Sequence, residues 1–276
     1  MLDKTTFEQY VPAFRSPTTE IYKKVEPLLR TIRDDWEQTL ISSSASLNEE
    51  DETRLDAAIA LRAAYRLIPQ LDLVLTPTGF GIVSNQNTAP ASPARVNALR
   101  EGLRQEASIQ EDLLIEHLAA MGALVCPHNH VTSLLWTPRL MRTYGVSLPD
   151  DQPIYREQLP AIQSTLHQAT GTLIDIISHP LHEALLQSQY SSLQTDDPDF
   201  YLLLLNHSRR LLAALIQSRS PLDSSQPTVA PMVRQLIDTL ERSAERIPQY
   251  LTSSTHIARN ASRYENQQTD TSFFFG

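Results

Sequence analysis

The chain has 276 residues, of which 41% are hydrophobic and 20% are charged, and its formal net charge is −9. This length can bury a sizeable core, and the composition is typical of a folded soluble protein. The acidic balance argues against a free-standing nucleic-acid-binding protein of the usual basic kind, and a single cysteine excludes an intrachain disulfide.

The residue usage predicts a mainly helical chain. Glycine, which costs about 1 kcal/mol per helix position relative to alanine, occurs 7 times. The 18 prolines are then expected at helix starts and joints. No basic flank precedes an apolar run at the N-terminus, so we expect no secretion signal. No apolar run approaches the ~20 residues that span a bilayer, so we expect no membrane partner.

Two start signals predict the first helices. Ser16 and Pro17 form a cap and a first helical position, and the helix that follows meets Pro27, where we expect a kink or a break. Ser46 and Glu49 have the spacing of a capping box, which predicts the start of the second long helix.

The pattern changes to a small β-hairpin at about residues 72–84. Two short runs rich in leucine, isoleucine and valine flank the sequence TPTGF. We expect Gly79 to adopt a positive φ in the turn, and Gly81 to allow the close approach of another backbone or a bulge. The polar run that follows contains Asn85 and Asn87 and predicts an exposed loop.

The helices that follow the hairpin have similar start signals. Ser92 and Pro93 open a long helix with a stripe that we expect to be buried, formed by Val96, Leu99, Leu103, Leu113, Leu114 and Leu118. Gly122 is expected to end it. Asp197 and Pro198 start a helix whose first half is apolar on nearly all sides, which places that half at the centre of the core. The last amphipathic helix turns inward Met232, Leu236, Ile237 and Leu240.

These elements predict a mainly α fold: a multi-helix, bundle-like body over residues 1–250, with the hairpin inside it, and an extended C-terminal arm over residues 251–276. The arm is polar until Phe273, Phe274 and Phe275. Each buried aromatic side chain removes roughly 150–250 Å² from water. We therefore predict that these phenylalanines anchor the arm in a partner or a neighbouring copy; the alternative is that they fold back onto the chain's own core.

Cys126, His128 and His130 alternate, which would place three zinc ligands on one face of an extended segment. Zinc ligands are usually more widely spaced, and Pro127 and Asn129 favour a turn. We therefore expect an irregular segment with a half-buried cysteine, and neither a metal nor another cofactor.

No other pattern predicts an active site. His179 and His182, with Glu183 beside them, are interpreted as a polar helix start rather than as metal ligands. The neighbouring acids Glu111–Asp112 and Asp150–Asp151 are interpreted as solvated surface groups. Nucleophile-elbow and phosphate-loop motifs are absent from the sequence. We therefore predict no catalytic residue and a protein that is not an enzyme.

Three strings carry a resemblance. Residues Leu73–Val96, Leu134–Val146 and Tyr264–Gly276 resemble an uncharacterised family from tailed phages and prophages of Bacteroides-type gut bacteria. Members of that family look like virion structural proteins of the head–tail junction: connector, adaptor or head-completion proteins. The resemblance brings no catalytic residues with it.

This resemblance implies a ring of identical subunits in the neck of the virion, made in the cytoplasm of the bacterial host. The expected partners are other copies of the chain and the portal and tail or neck proteins, with DNA only as passing cargo. The expected partner-binding residues are Gly79, Phe80, Gly81, Asn85, Asn87, Phe273, Phe274 and Phe275. Two alternatives stay open: a cytoplasmic metal-dependent enzyme that uses Cys126, His128 and His130, and a helical adaptor without a virion role.

Overall fold

A computed structural model describes residues 2–43, 45–71, 73–76, 79–82, 92–148, 152–191, 195, 197–218 and 228–261, with only the backbone of 73–76 and 79–82. The described residues are predominantly helical, which confirms the mainly α class. The chain divides into two compact units, Met1–Ser164 with Gln187–Ser192 and Thr165–Leu186 with Leu193–Gly276. The sequence predicts a single body over residues 1–250. The boundary between the two units, at Ser164 and Thr165, lies inside a helix, where no change in composition indicates it.

Unit 1 is built around two long helices. Its helices are α1 (Lys4–Tyr10), α2 (Glu20–Thr39), α3 (Glu49–Leu71), α4 (Pro93–Ala120), α5 (Pro127–His130), α6 (Pro138–Thr143) and the first turns of α7 (Leu159–Ile177). Helix α3 packs along α4, α1 and α2 pack on α3, and α6 packs on α4. The core between them includes the buried side chains of Phe7, Trp36, Leu55, Ile59, Leu114, Leu118, Leu134 and Met141.

Two short strands connect α3 with α4. Strands β1 (Leu73–Thr76) and β2 (Gly79–Ile82) pair antiparallel, with Leu73 opposite Ile82 and Thr76 opposite Gly79. Gly79 therefore lies in the strand pairing and not in the turn where the sequence places it. Because only the backbone of these residues is described, the use of this segment as a docking element stays a prediction.

The N-terminal helices differ from the prediction. The sequence gives no signal for α1, and α2 begins at Glu20 rather than at Ser16 and Pro17. Two side chains of α1 form hydrogen bonds with the backbone of Ser16. The Ser16 N–H donates to Glu8 Oε1 at 3.2 Å, and the Ser16 carbonyl accepts from Lys4 Nζ at 2.7 Å. Pro27 lies inside α2, which continues through it.

The start of α3 is also capped by other residues than those predicted. The Asn48 side chain accepts the Asp51 N–H at 3.0 Å, and the Asp51 carboxylate accepts the Asn48 N–H at 3.1 Å. This reciprocal arrangement satisfies two amides that have no partner inside the helix. It lies two residues beyond the predicted pair of Ser46 and Glu49, because asparagine and aspartate can form the same motif.

Unit 2 consists of the rest of α7, α8 (His179–Gln187), α9 (Pro198–Gln217), α10 (Ala230–Arg242), α11 (Pro248–Leu251) and α12 (Ser254–Asn260). As predicted, Asp197 caps α9 and accepts the Phe200 N–H at 3.2 Å. Its core includes Leu173, Leu185, Leu211, Leu212, Leu215, Leu236, Leu240, Ile247 and Tyr250. No helix within the described residues is long and apolar enough to cross a membrane.

The first part of the predicted arm is folded. Residues 251–260, predicted to be extended, form the end of α11 and all of α12. Ser253, which is buried, caps α12 and accepts the His256 N–H at 3.2 Å. The prediction was wrong here because local polarity does not reveal a cap of this kind. Residues 262–276 lie outside the described residues.

Candidate interaction surface

The two halves of α4 have different surroundings. Ser92 is the N-cap and Pro93 the first helical residue, as predicted. Residues 93–102 are all exposed except Val96, which is half-buried. The second half of the helix carries the fully buried Leu114 and Leu118. Only that second half is therefore part of the core of unit 1.

Three apolar residues share one face of the exposed half. Val96, Leu99 and Leu103 recur at steps of three and four, which places them together on a helix, and we call them the α4 stripe. The Leu99 side chain is 41% exposed, and the other two are half-buried. The prediction that Leu99 is buried was therefore wrong.

The position of α3 explains this exposure. Asp51 pairs with His117 at 2.6 Å, Arg62 pairs with Glu111 at 2.5 Å, and Arg100 lies 5.4 Å from the centre of the Tyr65 ring. These contacts show that α3 runs antiparallel along one side of α4. Periodicity predicts the apolar face of a helix, but it does not indicate how far a partner helix extends along that face.

Buried ion pairs hold the second half of α4. The Glu111 side chain accepts from Arg62, and Asp112 accepts from Arg156 at 3.1 Å and from the Arg139 N–H at 2.8 Å. Both acids are buried, with Asp112 at 0% exposure, so the prediction of solvated surface groups was wrong. Their partners are 27 to 49 positions away in sequence and leave no local signal.

Burial controls the ionisation of Asp112. Desolvation raises the pKa of this carboxyl to about 6, although the charge of Arg156 and the hydrogen bond from the Arg139 amide act in the opposite direction. Carboxylates of this kind arise at active sites and in structural ion-pair networks alike. Here the carboxylate is enclosed by arginines, and its role in the described residues is to fix α4 against α6 and the residues after 154.

In unit 2, a buried tyrosine fixes the last described helix. The Tyr250 hydroxyl donates to the Glu241 carboxylate and accepts from Arg259 Nη1 at 2.6 Å. Arg259 also donates to the Ile176 carbonyl at 2.7 Å. Because these residues belong to α7, α10, α11 and α12, the network joins four helices. The network therefore fixes the position of α12, the last described helix, within unit 2.

The protonation states in this network are well defined. Burial and the hydrogen bond to Glu241 raise the pKa of Tyr250 to about 12, so the phenol keeps its proton at neutral pH. Burial opposes ionisation of Glu241, but the hydrogen bonds from Tyr250 and Asn260 outweigh it and lower the pKa of that carboxyl. The interaction therefore joins a neutral phenol to a carboxylate, which is a strong charge-assisted hydrogen bond.

Helix α9 presents two leucines to solvent. Leu202 is 55% exposed and Leu203 is 45% exposed, whereas their neighbours Tyr201 and Leu204 are buried. The sequence places this half of α9 at the centre of the core, which was wrong. The core of unit 2 covers one side of the helix, and the composition of an apolar run does not identify that side.

The predicted partner-binding residues form two groups, one within β2 and one outside the described residues. Gly79, Phe80 and Gly81 form the first three positions of β2, where only the backbone is described. The other predicted residues lie outside the described part of the chain: Asn85, Asn87, Phe273, Phe274 and Phe275. Their role therefore stays a prediction.

The Cys–His segment forms a helical turn rather than an extended strand. Cys126 is exposed and has a positive φ of 45°, so the expectation of a half-buried thiol was wrong. His128 is exposed on α5, and burial lowers the pKa of the half-buried His130. Among the described residues, which include all three, no group of histidine, cysteine and acidic side chains is arranged to hold a metal ion.

The second histidine pair separates on α8. His179 is exposed at the start of the helix, as expected for a polar helix start. His182 is buried, and neither of its ring nitrogens has a hydrogen-bond partner. Its Nδ1 lies 3.7 Å from Glu183 Oε1, and burial lowers the pKa of the ring. The interpretation as a polar helix start therefore does not extend to His182.

Comparison with known proteins gives one match. The model of a family of unknown function, DUF6712, matches residues 19–123, from the end of the α1–α2 connection to the end of α4. Searches of curated proteins and of solved structures each give no match. The matched region contains the hairpin and both halves of α4, so the α4 stripe belongs to the part of the chain that is similar to this family.

Proposed function

We propose that this chain is a structural subunit of the head–tail junction of a tailed phage, and that it acts by assembling with copies of itself rather than by catalysis. The observation that carries the proposal is the exposed first half of α4, which bears the α4 stripe. Burying a leucine side chain contributes about 1.5–3 kcal/mol. An apolar stripe on an exposed helix is also the feature that helix-in-groove recognition uses.

The neighbouring segment supports this assignment. The exposed half of α4 follows directly on the hairpin and the polar run, which are the residues that carry the strongest resemblance to virion proteins. Open strand edges can pair with a strand of another subunit, and Gly81 would let that strand come close. Hairpin, polar run and helix start would then form one continuous assembly element.

The end of the chain supplies a second contact in this proposal. The Tyr250–Glu241–Arg259 network fixes α12, and the sequence then runs on to Phe273. At a maximum of about 3.6 Å per residue, Phe273 cannot lie more than about 47 Å from Asn260. The phenylalanines would anchor one subunit to a neighbour, to the portal or to a tail protein. DNA would be passing cargo, and the location would be the neck of the virion.

We expect Leu99→Gln to reduce self-association, because an amide replaces an apolar group that a neighbouring subunit buries. Burying an amide without a partner costs about 1–3 kcal/mol, which corresponds to roughly 5- to 150-fold in affinity. Multi-angle light scattering over a concentration series, with micrographs to detect rings, provides the measurement.

Met121→Gln is the matched control for this experiment. Met121 is 42% exposed at the other end of α4, against 41% for Leu99. A loss of assembly in the Leu99 variant alone supports the proposal. Equal assembly by both variants and the unchanged protein, or a protein that stays monomeric throughout, contradicts it.

Deletion of residues 270–276 is expected to abolish ring or virion incorporation while the described helices stay folded. The deletion removes the three phenylalanines and leaves the α12 network intact. Incorporation is measured by mass spectrometry of purified particles, and folding is checked by circular dichroism. If particles contain the shortened subunit at normal copy number, the phenylalanines are not the anchor.

A further inference from the structure

Unit 1 carries a concentration of positive charge that is unusual for an acidic chain. Four arginines from α3, α4 and the 3-10 turn Arg156–Gln158 lie beside Tyr65 and Tyr155, and Arg66 lies one helical turn beyond Arg62 on α3. We call these five residues the arginine cluster: Arg62, Arg66, Arg100, Arg104 and Arg156. Arg104 stacks on the Tyr155 ring with its guanidinium carbon 4.1 Å from the ring centre. Arg100 lies over Tyr65. The aromatic rings thus hold two guanidinium groups in place without neutralising them.

A cavity of about 20 Å³ lies within the cluster and is lined by Arg62, Arg104, Ser108 and Arg156, among others. Three buried polar atoms of these residues have no hydrogen-bond partner: Arg104 Nε, Arg156 Nε and Ser108 Oγ. Ser108 is only 6% exposed. Because guanidinium nitrogens only donate hydrogen bonds, the missing partner must be an acceptor.

The acidic side chains around the cavity are already engaged. Glu111 accepts from Arg62 at 2.5 Å and lies 3.5 Å from Arg156 Nε, outside hydrogen-bonding geometry. Glu157 accepts from Arg104 at 2.9 Å, and Glu101 accepts from the Tyr155 hydroxyl at 2.5 Å. With Asp112, which accepts from Arg156 at 3.1 Å, four carboxylates face the five arginines, so positive charge exceeds negative charge by one.

Arg66 carries part of that excess. It is exposed, and no salt bridge joins it to another described residue. Burial of part of the side chain is the main cause that lowers the pKa of its guanidinium, and the nearby Arg62 acts in the same direction, whereas Glu111, Glu157 and Asp35 oppose it. An anion at the cluster would relieve the repulsion between Arg62 and Arg66.

We propose that the arginine cluster binds an oxyanion of the phosphate class. One oxygen atom occupies the cavity and accepts from Arg104 Nε, Arg156 Nε and Ser108 Oγ, and the remaining oxygens face the exposed Arg66. A charged acceptor satisfies all three donors and offsets the excess charge, whereas a water molecule offsets none of it. The site uses other side chains than the α4 stripe, and the proposal does not depend on the proposed assembly.

Calorimetric titration of the full chain tests this site. The probes are inorganic phosphate, a short single-stranded oligonucleotide as a source of phosphodiesters, and sodium chloride at matched ionic strength. We expect saturable binding of a phosphate-bearing probe and none of chloride. Inorganic phosphate as the stronger probe identifies a free anion, and the oligonucleotide as the stronger probe identifies a nucleic-acid backbone.

Two variants and one control identify the residues. Arg66→Gln and Ser108→Ala should each weaken binding at least about 5-fold, since each removes one donor or charge. Arg54→Gln is the control, because Arg54 lies on the same helix and pairs at 2.7 Å with Glu50. Arg66 is exposed, so its replacement leaves the fold intact. Absence of saturable binding to both phosphate probes, or equal binding by all three variants, overturns the proposal.

Discussion

Replacing Asp112 by asparagine is expected to remove a pH dependence of about 3 kcal/mol from the stability of unit 1. The carboxyl has a pKa of about 6 in the fold, against 3.8 for the unperturbed group. The folded state therefore binds more protons than the unfolded state between these values. Stability then falls as the pH rises from about 4 to about 6, by about 1.4 kcal/mol for each unit of pKa difference, and is constant above that range.

Urea unfolding at a series of pH values measures this effect. Trp36 and Trp136 are both buried in unit 1, and the chain contains two tryptophans, so their fluorescence follows that unit. The informative quantity is the free energy of unfolding of the unchanged protein minus that of Asp112→Asn, because the other titrating groups cancel. Asp34→Asn, which replaces an exposed acid on α2, is the control.

A difference that rises with pH would have the wrong sign and would mean that the arginines stabilise the charged carboxylate more than burial destabilises it. A difference that is independent of pH would mean that Asp112 is not desolvated. The first result would contradict the raised pKa of Asp112, and the second would contradict the desolvation of this side chain.

The helical class could be predicted because it depends on local signals. The Ser92–Pro93 and Asp197–Pro198 starts and the end of α4 before Gly122 were correct, since each depends on residues close together in the chain, although only Asp197 makes a side-chain capping hydrogen bond. Where capping involves partners from elsewhere, the prediction failed. Ser16 is the example, because Lys4 and Glu8 of α1 occupy its backbone.

The candidate surface was less accessible to sequence reasoning for the same physical reason. The stripe of α4 was correctly placed on one face, but the exposure of Leu99 depends on which side of α4 the helix α3 covers. Glu111 and Asp112 were misinterpreted because Arg62 and Arg156 come from other elements. The arginine cluster was missed because its members are separated in sequence and meet only when α3 and α4 pack antiparallel.

The two proposed contacts, the α4 stripe and the phenylalanines, depend on different units of the structure. The α4 stripe lies on a helix whose second half is held in unit 1 by buried ion pairs. The phenylalanines follow α12, whose position in unit 2 depends on the Tyr250 network. If both proposed contacts form, a subunit can join a ring through α4 and bind a second partner through its last residues.

We expect the second large effect on stability from the Tyr250–Glu241–Arg259 network, which holds α12. Tyr250→Ala is expected to destabilise unit 2 by about 3–5 kcal/mol, the usual cost of removing a fully buried aromatic side chain. Tyr250→Phe should cost about 1.5–3 kcal/mol, because it removes only the hydroxyl that joins Glu241 to Arg259. Tyr10→Phe is the control, since that hydroxyl makes a single 3.4 Å contact with the Thr53 carbonyl.

Hydrogen exchange resolved by peptide separates global from local loosening in these variants. In Tyr250→Phe we expect faster exchange in α12 and at the end of α10, because Arg259 and Asn260 lose the arrangement that holds both helices together. Exchange in α9 should change less, since its contacts to the core do not pass through the hydroxyl. Unchanged protection of α12 in this variant would show that Ser253 and the Ile176 carbonyl hold α12 without the Tyr250 hydroxyl. The position of the helix that precedes the phenylalanines would then not depend on Tyr250.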